Sequence, residues 1–460
     1  MRGNRCVLFR YAPILFGPQR ACIPLMAAFG AANAEVLSTD KPRVSPGVNR
    51  SEDLRLGNYL VALGCLFFLF DVVLTVHSYA PCPYQDGWEV LADLSHGIKP
   101  WNWSWLWQQH NEHRIVIPRL LIWLDSAAFG TRGLSLLVET YIFQLVHFFA
   151  VAFVIQRYAG PLSASLKRTL QGLFAVCFFY PGQSANFIWS FQVSFILSFL
   201  LTTVAILLVC HADLFRRRSL VLSFAAALPL VAGLNLAGGL LAGPVLLGLA
   251  VLKRSSRRDV VSMGLIIFVS FGVYLSGFHP GHMAPLSSSS LGHAAVYVLY
   301  YLDATWLPVP HRFPVFSPPS LLVLGGLVLW QVRRRQIPDG FSLFCWGECA
   351  FTLAVAPPMA LSRIYLGLDT ASQWRYQTVA LLYWACLGSL VLLFLYGNSR
   401  KYLQASQQAI VIAATASLLL LPVFWSAVNQ WGAQNQRACA AALRENKNVL
   451  MVAPQIARRL

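Results

Sequence analysis

Two carboxylates, a pair of histidines and a set of arginines could do chemistry in this chain, and most lie close together in sequence. Asp86 sits in Tyr84-Gln85-Asp86-Gly87-Trp88, and Glu112 and His113 sit in His110-Asn111-Glu112-His113-Arg114, with Arg119 soon after. A positioned carboxylate or imidazole takes a proton from a reacting hydroxyl, and a guanidinium holds two oxygens of an anion at once. One short stretch thus offers a general base and anion binders together. Asp86 is the preferred base. Gly87 lets a ligand approach the backbone, and Trp88 offers a flat face for stacking. Glu112 precedes two candidate cations, His113 and Arg114, which make it the weaker base and suit it to a supporting or metal-binding role.

A second constellation lies at 361–376, where Arg363, Tyr365, Asp369, Gln373, Arg375 and Tyr376 crowd a short connection, with Gln377 just beyond. Arg363 and Arg375 suit phosphate, or reach out to lipid headgroups. A third, near 182–192, contributes Asn186 and Gln192. An amide at the mouth of an apolar run faces a wet cavity, another helix or a ligand, because burying it unpaired costs about 1–3 kcal/mol. Asp303, His311 and Arg312 are further polar candidates in a later loop.

The elements that must position these groups are membrane helices. Hydrophobic residues make up 57% of the 460 and charged residues only 12%, against about 25% charged in ordinary globular chains. Soluble, disordered, collagen-like and disulfide-scaffold classes are excluded. Apolar runs near 58–78, 133–156, 169–182, 188–210, 219–236, 237–252, 259–277, 319–332, 341–360, 377–397 and 407–427 predict an all-α polytopic protein of about 11 spans (range 10–13). The net charge of +17 falls largely in alternate short connections: Arg157, Lys167 and Arg168; Arg216–Arg218; Lys253, Arg254, Arg257 and Arg258; Arg333–Arg335; Arg400 and Lys401. That pattern places them in the cytoplasm and argues against nucleic acid as a partner. The candidate residues then fall outside, in loops 79–132, 278–318 and 361–376.

Within the first of these, 113–125 predicts a juxtamembrane amphipathic helix. Six of the fourteen tryptophans lie between Trp88 and Trp123, and Trp101-Asn102-Trp103-Ser104-Trp105-Leu106-Trp107 serves either as an interfacial belt or as a stacking platform for sugar rings. Residues 1–56 form a basic, signal-like segment or reflect a start further along, 57–427 the transmembrane domain, and 428–460 a short outer tail. Only Cys82 and Cys439 fall in segments placed outside, so a bridge between them is compatible with the topology.

The Asp-Gly-Trp after the first span, Gln-His-Asn-Glu-His-Arg-Ile at 109–115, Asn-Phe-Ile-Trp-Ser-Phe-Gln at 186–192 and the late Arg375-Tyr376 resemble bacterial multi-pass membrane glycosyltransferases of the GT-C type. The resemblance covers roughly 57–427. It implies a GT-C-like fold in the bacterial inner membrane and an active site on the outer face. It also implies a polyprenyl-phosphate-linked sugar as donor, and a glycan, lipid or protein as acceptor. The catalytic acid of that family matches Asp86, with Glu112 competing, and the late Arg-Tyr matches Arg375 and Tyr376. A divalent cation (Mg or Mn) is often used there, but the paired acids of many members are Asp86-Gly87 here. The candidate site is therefore Asp86, Glu112 and His113 for catalysis. Trp88, Arg114, Arg119, Asn186, Gln192, Arg363, Arg375 and Tyr376 are candidates for substrate binding. Two other functions share these features. A flippase or transporter of lipid-linked saccharide predicts ionisable residues deep in the spans. A membrane O-acyltransferase would use His110 or His113 as base.

Overall fold

The computed structural model describes residues 50–83, 86–160, 162–279, 287–305 and 314–445. Most of the N-terminal basic segment, together with His311 and Arg312, lies outside the described residues. The helices, in chain order, are α1 (Arg50–Ser78), α2 (Gly87–Ser95), α3 (Trp103–Trp107), α4 (Val116–Phe129), α5 (Leu134–Tyr158), α6 (Ala164–Phe178), α7 (Ala185–Ile188) and α8 (Val193–Cys210). They continue with α9 (Arg218–Gly233), α10 (Ala242–Leu252), α11 (Arg257–Leu275), α12 (Ser288–Asp303), α13 (Ser317–Arg334) and α14 (Gly340–Arg363). The last are α15 (Gln377–Asn398), α16 (Arg400–Ala416) and α17 (Leu421–Glu445). Two short strands, β1 (Gln109–His110) and β2 (His113–Arg114), pair antiparallel between α3 and α4.

Seven helices among the described residues are long and apolar enough to cross a membrane. The other four runs predicted as spans form helices of 15, 16, 11 and 18 residues (α6, α9, α10 and α13), and they are not among the seven. The surfaces of the long helices expose large apolar side chains, including Leu69, Phe149, Leu265 and Phe268, as lipid contact demands. Small residues allow α1 and α6 to approach closely. A Cβ added at Gly172 would lie 2.5 Å from the Cβ of Leu60, and one at Gly64 would lie 2.6 Å from that of Ala175.

The two ends of the bundle differ in chemistry. At one end Lys253 pairs with Asp213 at 2.8 Å, and Arg218 reaches Asp213 at 2.8 Å and Asp259 at 3.3 Å. These bridges tie two of the basic connections together, so both lie at one end. At the other end Cys82 is bonded to Cys439, with Cα atoms 6.0 Å apart.

Three expectations about boundaries change. Helix α1 takes in residues 50–56, seven residues of the expected N-terminal segment. The expected tail after 427 continues as helix α17 to Glu445, where the Cys82–Cys439 bridge holds it. The loop 278–318 contains α12, whose Ala294, Tyr297 and Tyr301 share a buried face. Its serines and His293 lower its mean hydropathy without breaking its helical period.

Candidate functional site

The hairpin between α3 and α4 is the centre of the site. Asn111 at its tip takes φ 48°, in the left-handed region that Asn tolerates better than most residues. The strand register pairs His110 with His113 and Gln109 with Arg114. Side chains alternate along a strand, so the two pairs face opposite ways. His110 and His113 line a cavity of about 320 Å³. Gln109 and Arg114 turn to the scaffold. Gln109 Nε2 donates to the His279 carbonyl at 2.6 Å, and its Oε1 accepts from the His279 N–H at 2.9 Å. Arg114 Nε donates to the Tyr274 carbonyl at 2.8 Å, and its two terminal nitrogens donate to the carbonyls of Trp107 and Ser276. The guanidinium also stacks on Trp107 at 4.7 Å.

Arg119 behaves similarly, donating to the carbonyls of Leu106 and Gln108 and lying over the Trp105 ring at 5.5 Å. Buried donors must be satisfied, and the loop carbonyls do this for Arg114 and for one terminal nitrogen of Arg119, whose Nε has no partner. Arg114 and Arg119 therefore build the loop, in place of the substrate contact expected of them. Trp88 is half-buried on α2, and neither it nor these two arginines lines the cavity. The expected helix over 113–125 starts only at Val116, because His113 and Arg114 belong to the hairpin.

Asp86, Glu112, His113, Gln192, Arg363, Arg375 and Tyr376 do come together around the cavity. They arrive from the start of α2, the hairpin, the break before α8, the end of α14 and the loop before α15. Glu112 Oε2 accepts from Arg363 Nη2 at 3.0 Å. Arg375 lies 5.0 Å from the Tyr376 ring centre and 5.7 Å from that of Trp189, and its Nε is buried without a hydrogen-bond partner. Gln192 is buried, and its Oε1 also has no partner. Below these groups the wall is apolar, with Phe195, Phe199, Leu240, Phe271, Val355 and Met359.

Asn186 acts from behind. Its Nδ2 donates to the Arg375 carbonyl at 3.0 Å and to Thr378 Oγ1 at 2.7 Å, and Thr378 in turn donates to Gln183 Oε1 at 2.7 Å. This buried chain fixes the backbone that carries Arg375. Tyr274, Thr378 and Gln183 were not among the sequence candidates, because nothing local marks a side chain that holds another in place.

The remaining acids of the 79–132 loop have structural partners. Asp93 accepts from Trp105 Nε1 at 2.9 Å. Asp125 accepts from the Gly133 N–H at 2.8 Å and from Ser135 Oγ at 2.6 Å. Glu89 pairs with His110 Nδ1 at 3.1 Å. Further along, Asp303 accepts from the N–H groups of Val315, Phe316 and Ser317 and so caps α13. Asp86 opens α2, yet its side chain caps nothing there.

His113 accepts the Ala237 N–H at Nδ1, at 3.4 Å, which assigns the proton of the neutral ring to Nε2. Burial pushes its pKa down to about 4, Glu112 opposes this, and Arg363, His110 and Arg375 add to it. His113 is thus a neutral donor at neutral pH. As pH falls from the ordinary 6.5 towards about 4, the unfolded chain takes up a proton that the folded one does not. Stability is therefore expected to fall across that window and to be level above it. Melting in detergent at stepped pH checks this, and His113→Gln should shrink the step, leaving the share of His211, whose pKa burial also lowers to about 4.

No group of three or more His, Cys, Asp and Glu among the described residues could hold a metal ion, Glu112 is engaged by Arg363, and His113 Nδ1 by Ala237.

Comparison with family models, with curated proteins and with solved structures finds no match.

Proposed function

We propose that this integral membrane protein is a GT-C-type glycosyltransferase with about 11 spans, working on the outer face of a bacterial inner membrane. It would move a sugar from a polyprenyl phosphate to a glycan, lipid or protein acceptor. One observation carries the reading. A single cavity joins two carboxylates, one of them paired with Arg363, two arginines and two amides at one end to an apolar wall between helices at the other. An occupant with an anionic head and a long hydrocarbon chain matches both parts. The Cys82–Cys439 bridge supports an outward placement of this end, since such bonds persist in oxidising compartments.

In the reaction, the acceptor hydroxyl oxygen attacks the anomeric carbon while the bond from that carbon to the phosphate oxygen breaks. Asp86 takes the hydroxyl proton. The phosphate leaves with the bonding electrons, and Arg375 and Arg363 hold its charge. Glu112 orients Arg363, and His113 donates a hydrogen bond from Nε2.

A transport reading has one observation in its favour. His147 Nε2 lies 2.7 Å from Thr203 Oγ1, and Thr203 Oγ1 lies 2.6 Å from Glu348 Oε1, with all three residues fully buried among the spans. Deep ionisable residues commonly mark transport paths. Right-side-out vesicles supplied with a sugar-labelled polyprenyl phosphate separate the two. A transferase moves label to an acceptor added outside. A transporter moves the intact lipid between leaflets and leaves the sugar on it.

A further inference from the structure

A second cavity, of about 410 Å³, lies beside the first and shares Arg375 with it. Its walls are Trp189, Trp374 and Trp431, with Gln373 as the amide, and Ala185 and Ala427 keep the floor open. The tryptophans come from three separate elements. Trp189 precedes α8, Trp374 belongs to the loop before α15, and Trp431 is on α17. Each is held in place. The Trp374 ring meets the edge of Phe424 at 5.6 Å. Trp189 is buried against Arg375. Trp431 precedes Gly432, where an added Cβ would lie 2.9 Å from the Ser78 Cβ, and the Cys82–Cys439 bridge secures the same helix two turns on.

We propose that this cleft binds the neutral sugar ring of an acceptor saccharide, in a role that rests on the reading of the first cavity as the donor site. The chemistry of the walls narrows the ligand. Among the described residues the lining has no carboxylate, and its one charge is a guanidinium, so a cation is disfavoured despite the aromatic walls. An anion here would find Arg375 alone and would compete for it with the phosphate of the first cavity, where Arg363 stands as a second cation. A flat hydrocarbon would leave the Gln373 amide and the Arg375 donors unmatched. A pyranose has an apolar C–H face for indole stacking and a rim of hydroxyls for the amide and guanidinium. Because Arg375 borders both cavities, a sugar stacked here presents a hydroxyl next to the group that holds the leaving phosphate. The tryptophans of 101–107 do not supply this platform. Trp101 and Trp103 are exposed, while Trp105 and Trp107 are packed beneath Arg119 and Arg114.

The test uses the full chain in detergent micelles and saturation-transfer NMR with uncharged methyl glycosides of glucose, galactose, mannose and N-acetylglucosamine. At least one glycoside should receive saturation on its C–H face. Trp431→Ala and Trp374→Ala should each weaken its binding by about tenfold or more, Trp431→Phe should retain most of it, and Arg363→Ala should leave it unchanged. Polyprenyl monophosphate binding, followed by native mass spectrometry in the same preparations, reports on the first cavity separately. If that binding fails while glycoside binding persists, the donor reading falls and the sugar cleft stands. No glycoside signal from any of the four sugars, or a signal indifferent to both alanine variants, overturns the cleft. Alanine variants that impair only membrane insertion would mark these tryptophans as interfacial anchors and overturn it equally.

Discussion

Asp86→Asn is expected to insert and fold like the parent chain while the transfer rate falls by about 10²–10⁴-fold, the usual cost of losing a general base. The substitution keeps size and polarity and removes only the capacity to accept the proton. The expectation rests on elimination as much as on position. Glu89, Asp93, Glu112 and Asp125 each have a partner in the loop or at the cavity rim. Asp86 borders the cavity with a side chain that does not cap its own helix. Donor affinity should be nearly retained, because the phosphate is held by arginines. Single-turnover transfer, with donor binding measured alongside, checks both parts. Near-parental turnover in Asp86→Asn combined with loss in Glu112→Gln would exchange the two roles.

The second large effect is expected at Arg375. Hydrogen bonds to charged groups contribute about 1.5–3 kcal/mol each, so Arg375→Ala should weaken binding of a polyprenyl phosphate by roughly 10- to 150-fold. Arg375→Lys should recover only part, because an ammonium lacks the planar fork that spans two phosphate oxygens. Asn186→Ala should weaken binding in the same direction without any contact to the ligand, since it releases the Arg375 carbonyl from the Asn186–Thr378–Gln183 chain. Titration by native mass spectrometry checks all three. Unchanged affinity in Arg375→Ala would make that residue part of the scaffold.

The site was legible in sequence where residue type alone decided the role. Acids, amides and late arginines from separate loops do meet at one cavity, although they are far apart in the chain. What residue type did not reveal was direction. Arg114 follows His113 immediately, yet a two-residue strand turns them to opposite faces, and only the register His110 with His113 tells which face meets the cavity. Arg119 was expected to serve a ligand, but the carbonyls of the tryptophan-rich loop needed donors more. Glu348 carries a readable signal, an acid inside the apolar run 341–360. Its partners His147 and Thr203 come from two other helices, so only the assembled bundle pairs them. The Trp189–Trp374–Trp431 cleft was hidden for the same reason, because its three walls lie far apart in the chain. Helix α12 was read as loop because its serines and His293 lower its hydropathy, whereas its Ala294, Tyr297 and Tyr301 follow a helical period that hydropathy does not register.

The most direct test of the central claim is a density map of the full protein with polyprenyl monophosphate bound in a lipid nanodisc. The account predicts the phosphate within hydrogen-bond reach of Arg375 and Arg363, next to Asp86. The chain should descend along Phe195, Phe199 and Phe271. A phosphate seated instead among Arg216, Arg217 and Lys253 at the basic end, with the cavity at Asp86 empty of lipid, would contradict it.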